Sequence, residues 1–159
     1  MEWLPQHIPA DDQTRVVHGD YRLDNVIFHP TQPRILAVLD WELSTLGHPL
    51  ADFAYHCMSW RLGPGTFRGI AGLDLKALGI PSEEEYVAMY CRRTGRERID
   101  HWDYYMAYNM FRLAGILQGI MGRVVDGTAA SEHAMEQGKR ARPLAEAGWR
   151  QVERILAGG

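Results

Sequence analysis

The sequence predicts an α+β fold that is mostly helical, with a small β-hairpin near one end. Short apolar runs at Arg15-Val16-Val17, Val26-Ile27-Phe28 and Ile35-Leu36-Ala37-Val38-Leu39 are separated by polar loops. From Pro49 onward, most of the apolar residues recur at helical spacing. Proline and glycine punctuate the joints between these stretches.

Trp3, Leu4 and Ile8 are apolar residues with little local structure to bury them, and Ile8 to Asp12 reads as a loop. Met1 is expected to be an internal methionine, or a cut site, of a longer protein. Residues 15–17 and 25–29 read as strands, and His29-Pro30-Thr31-Gln32-Pro33 as a proline-bounded turn. Residues 34–40 form a third strand, paired with 25–29 as an antiparallel hairpin. That pairing brings Asn25 beside Asp40.

Gly47-His48-Pro49 breaks the chain, and Pro49 suits the first position of a helix running to about Trp60. Arg61 to Gly79 carries five glycines and reads as a long irregular segment with a helical turn near Leu73 to Leu78. Ser82-Glu83-Glu84-Glu85 is a capping box for a helix to Thr94, stopped by Gly95. Asp100 is expected to cap the next helix, 101–122, which is apolar on most faces and belongs in the core. Met106, Met110 and Phe111 are read as core residues. Gly115, Gly119 and Gly122 would let another element pack closely against that helix. Asp126-Gly127-Thr128 is a turn. Ser131 is expected to cap a last helical region to about Ala157, kinked or divided at Pro143.

A length of 159 residues fits one domain with a real core, and the 46% apolar and 23% charged fractions are those of a soluble globular protein. Cys57 and Cys91 have no metal-ligand or redox spacing, so a reducing cytoplasm is expected. No apolar run approaches the length that crosses a bilayer, no secretory leader pattern is read, and no His-Glu-x-x-His or paired Cys/His pattern occurs. No membrane partner is expected. The net charge of −3 divides unevenly: residues 1–60 hold eight acids and three basic residues, while the remainder is slightly basic. A carboxylate-rich segment repels polyphosphate unless cations bind there. No basic stripe interleaved with aromatics is present, so nucleic acid is not an expected partner.

The chemistry is concentrated in His18-Gly19-Asp20-Tyr21-Arg22-Leu23-Asp24-Asn25, with Asp40 fifteen residues further on at the end of a strand. His-x-Asp-x-x-x-x-Asn is the spacing of a kinase catalytic loop. Phosphoryl transfer needs one group to orient and deprotonate the acceptor hydroxyl, and hard oxygen ligands for the Mg2+ on the nucleotide. Asp20 suits the first task. Asn25 and Asp40 suit the second, and asparagine ligates without adding negative charge. Asn25 alone could also be a turn residue. Glu42 reads equally as a further metal contact or as a solvated carboxylate. Asp24 reads as a surface or loop-bracing group. Arg92, Arg93, Arg96 and Arg98 read as a solvated face; the alternative is that an arginine near the cleft meets an anionic substrate such as a CoA ester.

Residues 16–55, including Trp41-Glu42-Leu43-Ser44-Thr45-Leu46-Gly47, and Tyr108 to Ile120 resemble the aminoglycoside phosphotransferase and choline kinase-like family, which has a protein-kinase-like fold. Within it the chain looks similar to the phosphotransferase domains related to those fused to acyl-CoA dehydrogenases. The resemblance covers nearly the whole chain, as the C-terminal lobe of that fold. It implies that Asp20 is the catalytic base, that Asn25 and Asp40 hold Mg2+, and that ATP is the phosphoryl donor. It also implies that His18 braces the loop and that Asp52 supports it. Asp40 is followed by Trp41-Glu42 where protein kinases have Phe-Gly, which is usual in this family.

No glycine-rich nucleotide loop, strand lysine or partner glutamate precedes residue 15. The expectation is therefore a single domain, 1–159, forming the catalytic lobe of a small-molecule kinase without its nucleotide lobe, weakly active on its own and able to form a homodimer through uncovered apolar surface. The alternatives are a non-catalytic kinase-like binding module and a Mg2+-dependent phosphoesterase. The slightly basic character of residues 61–159 points away from a polycationic aminoglycoside and toward a small hydroxylated, anionic substrate.

Overall fold

The computed structural model describes residues 2–158, so the expectation for Met1 lies outside the described residues. Four short strands occur among them, one more than the sequence predicts: β1 (Arg15–Val17), β2 (Val26–Phe28), β3 (Ile35–Val38) and β4 (Thr45–Gly47). β2 and β3 form the expected antiparallel hairpin, with Val26 opposite Val38, Ile27 opposite Ala37, and an irregularity before Phe28. β1 pairs with β4, placing Val16 opposite Leu46 and enclosing the hairpin in sequence. Gly47 belongs to this unexpected strand rather than to a break. A Cβ there would lie 3.1 Å from Val17 Cγ2, so glycine lets the two backbones approach.

The hairpin face is only half covered: Ile27, Phe28, Ile35, Leu36, Trp41 and Leu43 are all exposed. At the N-terminal end, a short helix α1 (Trp3–Gln6) half-buries Trp3 and Leu4. Trp3 stacks on His7 at 4.1 Å and lies 6.3 Å from the Tyr104 ring.

The helices supply the core. α2 (Pro49–Cys57) begins at Pro49 as expected, with His48 Nδ1 accepting the Leu50 N–H. It passes into a 3-10 turn, Met58–Arg61. The segment after Arg61 is irregular, and its expected helical turn reduces to hydrogen-bonded turns closed by Leu78 N–H on Asp74 O. α3 (Glu83–Thr94) carries both hydrogen bonds of the Ser82–Glu85 capping box and ends at Gly95 with φ +70°. α4 (Trp102–Val125) runs through the middle of the core and packs on α2, α5 (Ala134–Gly138) and α6 (Ala141–Gly158). Met58, Leu62, Met106, Met110 and Leu144 are fully enclosed there.

Several local expectations are corrected. Asp100 does not cap α4, because its carboxylate is bound to Arg98 Nε at 2.8 Å; His101, with φ +56°, is the residue before the helix. Pro143 does not divide the last helix. It sits in the first turn of α6, where its missing N–H has no partner to lose, and the break falls at Lys139–Arg140. Ser131 Oγ accepts the His133 N–H, one turn before α5 begins. Among the described residues nothing lies within 4 Å of where a Cβ would stand on Gly115, Gly119 or Gly122; the close approaches of these helices are Gly138 against Met121 and Gly148 against Met110. Phe111 is 38% exposed, whereas Met106 and Met110 are enclosed.

Candidate active site

β1 delivers its C-terminal end to the loop 18–22, which a 3-10 turn, Leu23–Asn25, returns into β2. Asp52, in the first turn of α2, holds this loop. Its Oδ2 accepts the His18 N–H at 2.6 Å and its Oδ1 accepts the Gly19 N–H at 2.8 Å. Gly19 has φ +82°, and a Cβ on it would lie 2.6 Å from Leu43 O, so both the conformation and the space demand glycine.

His18 is buried and ties two loops together. Its Nδ1 accepts the Asp20 N–H at 3.2 Å, which places the ring proton on Nε2, and Nε2 donates to Leu39 O at 2.7 Å. Leu39 N–H donates in turn to Asn25 O at 2.8 Å. Asp40 thus follows a residue whose N–H and C=O are bonded to Asn25 and His18. Asp40 itself has φ +66° and an exposed carboxylate.

Asp20 is surrounded by donors. Tyr55 O–H donates to Oδ1 at 2.7 Å, and Asn25 Nδ2 donates to Oδ2 at 3.1 Å and to Asp20 O at 2.9 Å. Arg22 Nε lies 3.0 Å from Oδ2 but off the line of a hydrogen bond, so it contributes charge rather than a bond. Burial, followed by the hydrogen bond and the charge of Asp20, pushes the Tyr55 hydroxyl well above the usual phenol range. The phenol therefore stays a donor. Arg112, from α4, donates through Nη2 to Gly19 O at 2.8 Å and lies 5.4 Å from the centre of the Tyr55 ring.

The oxygen atoms suit a magnesium ion. Asn25 spends its amide nitrogen on Asp20, which fixes the amide orientation and leaves Oδ1 without a protein donor among the described residues. Asp40 is likewise without a cationic partner among them, and Glu42 is exposed in the following 3-10 turn, Trp41–Leu43. No three His, Cys, Asp or Glu side chains converge on a metal position among the described residues. One carboxylate and one amide oxygen are an incomplete shell, and that matches an ion that takes its remaining ligands from phosphate and water.

Asp20 opens onto a cavity of about 350 Å3. Four arginines line it: Arg22, Arg68, Arg112 and Arg140. Arg68 pairs with Asp24. Arg112 and Arg140 pair with no carboxylate among the described residues. Leu113, Ile116 and Leu117 of α4 form an apolar wall. None of the arginines named from sequence lines this cavity. Arg93 borders a different hollow, beside Tyr21 and Tyr86, and Arg96 is held by Gln13 and Asp11 rather than by solvent. Sequence reasoning missed Tyr55 and the four cleft arginines. Tyr55 had a signal: it lies three residues after Asp52 and therefore on the same helix face.

Asp20 is thus bonded to the asparagine five residues on, and Asp40 follows a residue tied to both Asn25 and His18. The model of the Phosphotransferase enzyme family matches residues 1–108, and the chain belongs to that family. It is 50% identical over 152 residues to mouse acyl-CoA dehydrogenase family member 10, covering 94% of this chain and 14% of that protein. It is 42% identical over 159 residues to rat acyl-CoA dehydrogenase family member 11, covering 98% of this chain and 20% of that protein. Its backbone matches the crystal structure of "a putative aminoglycoside phosphotransferase" from Ralstonia eutropha with a TM-score of 0.92 and 65% identity, over 96% of this chain and 47% of that one. The chain therefore spans a fifth or less of these two curated relatives and about half of the solved chain.

Proposed function

We propose that the chain is the C-terminal, catalytic lobe of an ATP- and Mg2+-dependent kinase that phosphorylates a hydroxyl group on a small organic anion. The observation that carries this reading is the Asn25 side chain, whose nitrogen grips Asp20 while its oxygen has no protein donor among the described residues, and whose backbone carbonyl accepts the N–H of Leu39, the residue before Asp40. One side chain would thereby hold the base and offer the metal an oxygen.

In this reading Asp20 takes the proton of the acceptor hydroxyl as that oxygen bonds to the γ-phosphorus and the bond to the departing ADP breaks. Asn25 Oδ1 and the Asp40 carboxylate would hold Mg2+, which when bound neutralises charge on the phosphates. His18 and Asp52 keep the loop in shape through the four contacts described above. Grip on the adenine is assigned to a lobe outside these 159 residues, in keeping with the greater length of the solved neighbour.

The substrate class follows from the cleft. Two unpaired arginines and an apolar wall beside Asp20 suit a hydroxylated molecule with an anionic end and a hydrocarbon segment, and repel a polycationic aminoglycoside. A hydroxyacyl-CoA has those features, and the names of the acyl-CoA dehydrogenase relatives fit it.

The test uses the full-length protein, incubated with MgATP and either hydroxyacyl-CoA thioesters or aminoglycosides. ATP-dependent phosphorylation of a thioester is expected, and Asp20→Ala should lower turnover by roughly 10²–10⁴-fold while leaving the circular dichroism unchanged. Turnover of aminoglycosides alone would overturn the substrate class. Retained turnover in Asp20→Ala would overturn the assignment of the base.

A further inference from the structure

We infer that Tyr55 is a positioning residue for the catalytic base, locking the Asp20 carboxylate against the helical core so that a lone pair faces the acceptor hydroxyl. This rests on the reading of Asp20 given above and adds a residue to it.

The groups around the Asp20 carboxylate come from two places in the fold. Asn25 and Arg22 belong to the same loop as Asp20 and move with it. Tyr55 is on α2 and is only 7% exposed, so its hydroxyl refers the carboxylate to the rigid core. Asp52, three residues earlier on that helix, already grips the loop backbone at His18 and Gly19. One helix face therefore fixes both the backbone of the loop and its reactive side chain.

The ring is itself held. The Arg112 guanidinium lies 5.4 Å from its centre while bonding Gly19 O, and Phe67 meets it edge-on at 6.4 Å. An ionised carboxylate offers about four acceptor directions. Tyr55 and Asn25 occupy one on each oxygen, which leaves room for an incoming hydroxyl. Two donors on opposite oxygens also define the plane of the carboxylate, which one donor cannot do. Side-chain orientation of this kind acts on the transition state more than on substrate binding.

The experiment uses the full-length protein with MgATP and water as acceptor, comparing wild type, Asp20→Asn and Tyr55→Phe. Tyr55→Phe keeps the ring and removes one oxygen. Its kcat for ATP hydrolysis is expected to fall about tenfold, with KM for MgATP within twofold of wild type, because only the orientation of the base is lost. An unchanged kcat, or a loss carried entirely by KM, would overturn the inference while leaving the role of Asp20 intact. Undiminished hydrolysis in Asp20→Asn would instead overturn the underlying reading. Should Tyr55→Phe fail to fold, 3-fluorotyrosine placed at position 55 reads the contact directly by 19F NMR. Its hydroxyl is expected to titrate at lower pH in Asp20→Asn than in the otherwise wild-type protein, since the carboxylate that holds its proton is gone. Identical titration in the two would overturn the inference.

Discussion

At the scale of single residues, the site depends on a few positions where one substitution has a defined physical cost. Gly19→Ala would place a methyl group against Leu43 O at a left-handed backbone position, so a loss of more than about 1 kcal/mol is expected in denaturant unfolding. Asp52→Ala would leave the His18 and Gly19 N–H groups without their acceptors, at a cost of about 1–3 kcal/mol each where water cannot replace it. His56 sits among Tyr21, Trp60 and Tyr86, and burial lowers its pKa from the ordinary value of 6.5. The folded state therefore binds a proton less readily than the unfolded chain. Its contribution to stability is complete above pH 6.5 and is lost as pH falls toward the depressed folded value. The melting temperature should drop across that window, and His56→Phe should flatten the drop; an equal drop in both proteins would contradict the assignment. That His18, Asp20 and Asn25 lie together was legible, because they share one short motif. Tyr55 and Arg140 were not read: the Tyr55 bond to Asp20 spans 35 positions, and Arg140 only lines the same cleft as Asp20, 120 positions away in the chain.

At the scale of elements, helices with strong local signals were read well and short strands were not. The capping box and Gly95 delimit α3 in the sequence as they do in space. β4 is three residues long and carries no alternation of its own; its existence comes from pairing with β1, thirty positions earlier. Pro143 was misread because proline is damaging inside a helix but harmless in its first turn, and only the true start of α6 distinguishes the two. The glycines of α4 misled for a related reason, since a glycine face permits close packing without requiring it. The actual contact between α4 and α6 is built on Gly148 and Met110, beside the enclosed Leu144. Leu144→Ala should destabilise the fold by about 2–5 kcal/mol, whereas Ser82→Ala should cost about 1 kcal/mol; both are measurable by urea unfolding.

At the scale of the whole molecule, charge and apolar surface are segregated in a way that fits the proposed reaction. Asp20 faces a cleft that α4 and Arg140 line with arginine and apolar side chains. Arg140→Ala removes a cleft cation that touches neither Asp20 nor its loop. It is expected to raise KM for an anionic acceptor roughly tenfold with kcat unchanged, because it removes binding common to ground and transition states. In the proposed reading another lobe grips the adenine and would cover the half-covered hairpin, so the 159-residue chain alone should bind MgATP more weakly than micromolar by calorimetry. No helix of the described residues is long and apolar enough to cross a membrane.

The convergence of Asp20, Asn25 and Asp40 on one nucleotide–metal complex is tested most directly by a crystal structure of the full-length protein with MgADP. Coordination of the ion by Asn25 Oδ1 and the Asp40 carboxylate at about 2.1 Å, with Asp20 facing the vacated phosphoryl position, is the expected result. A nucleotide-bound ion with neither residue in its coordination shell would contradict it.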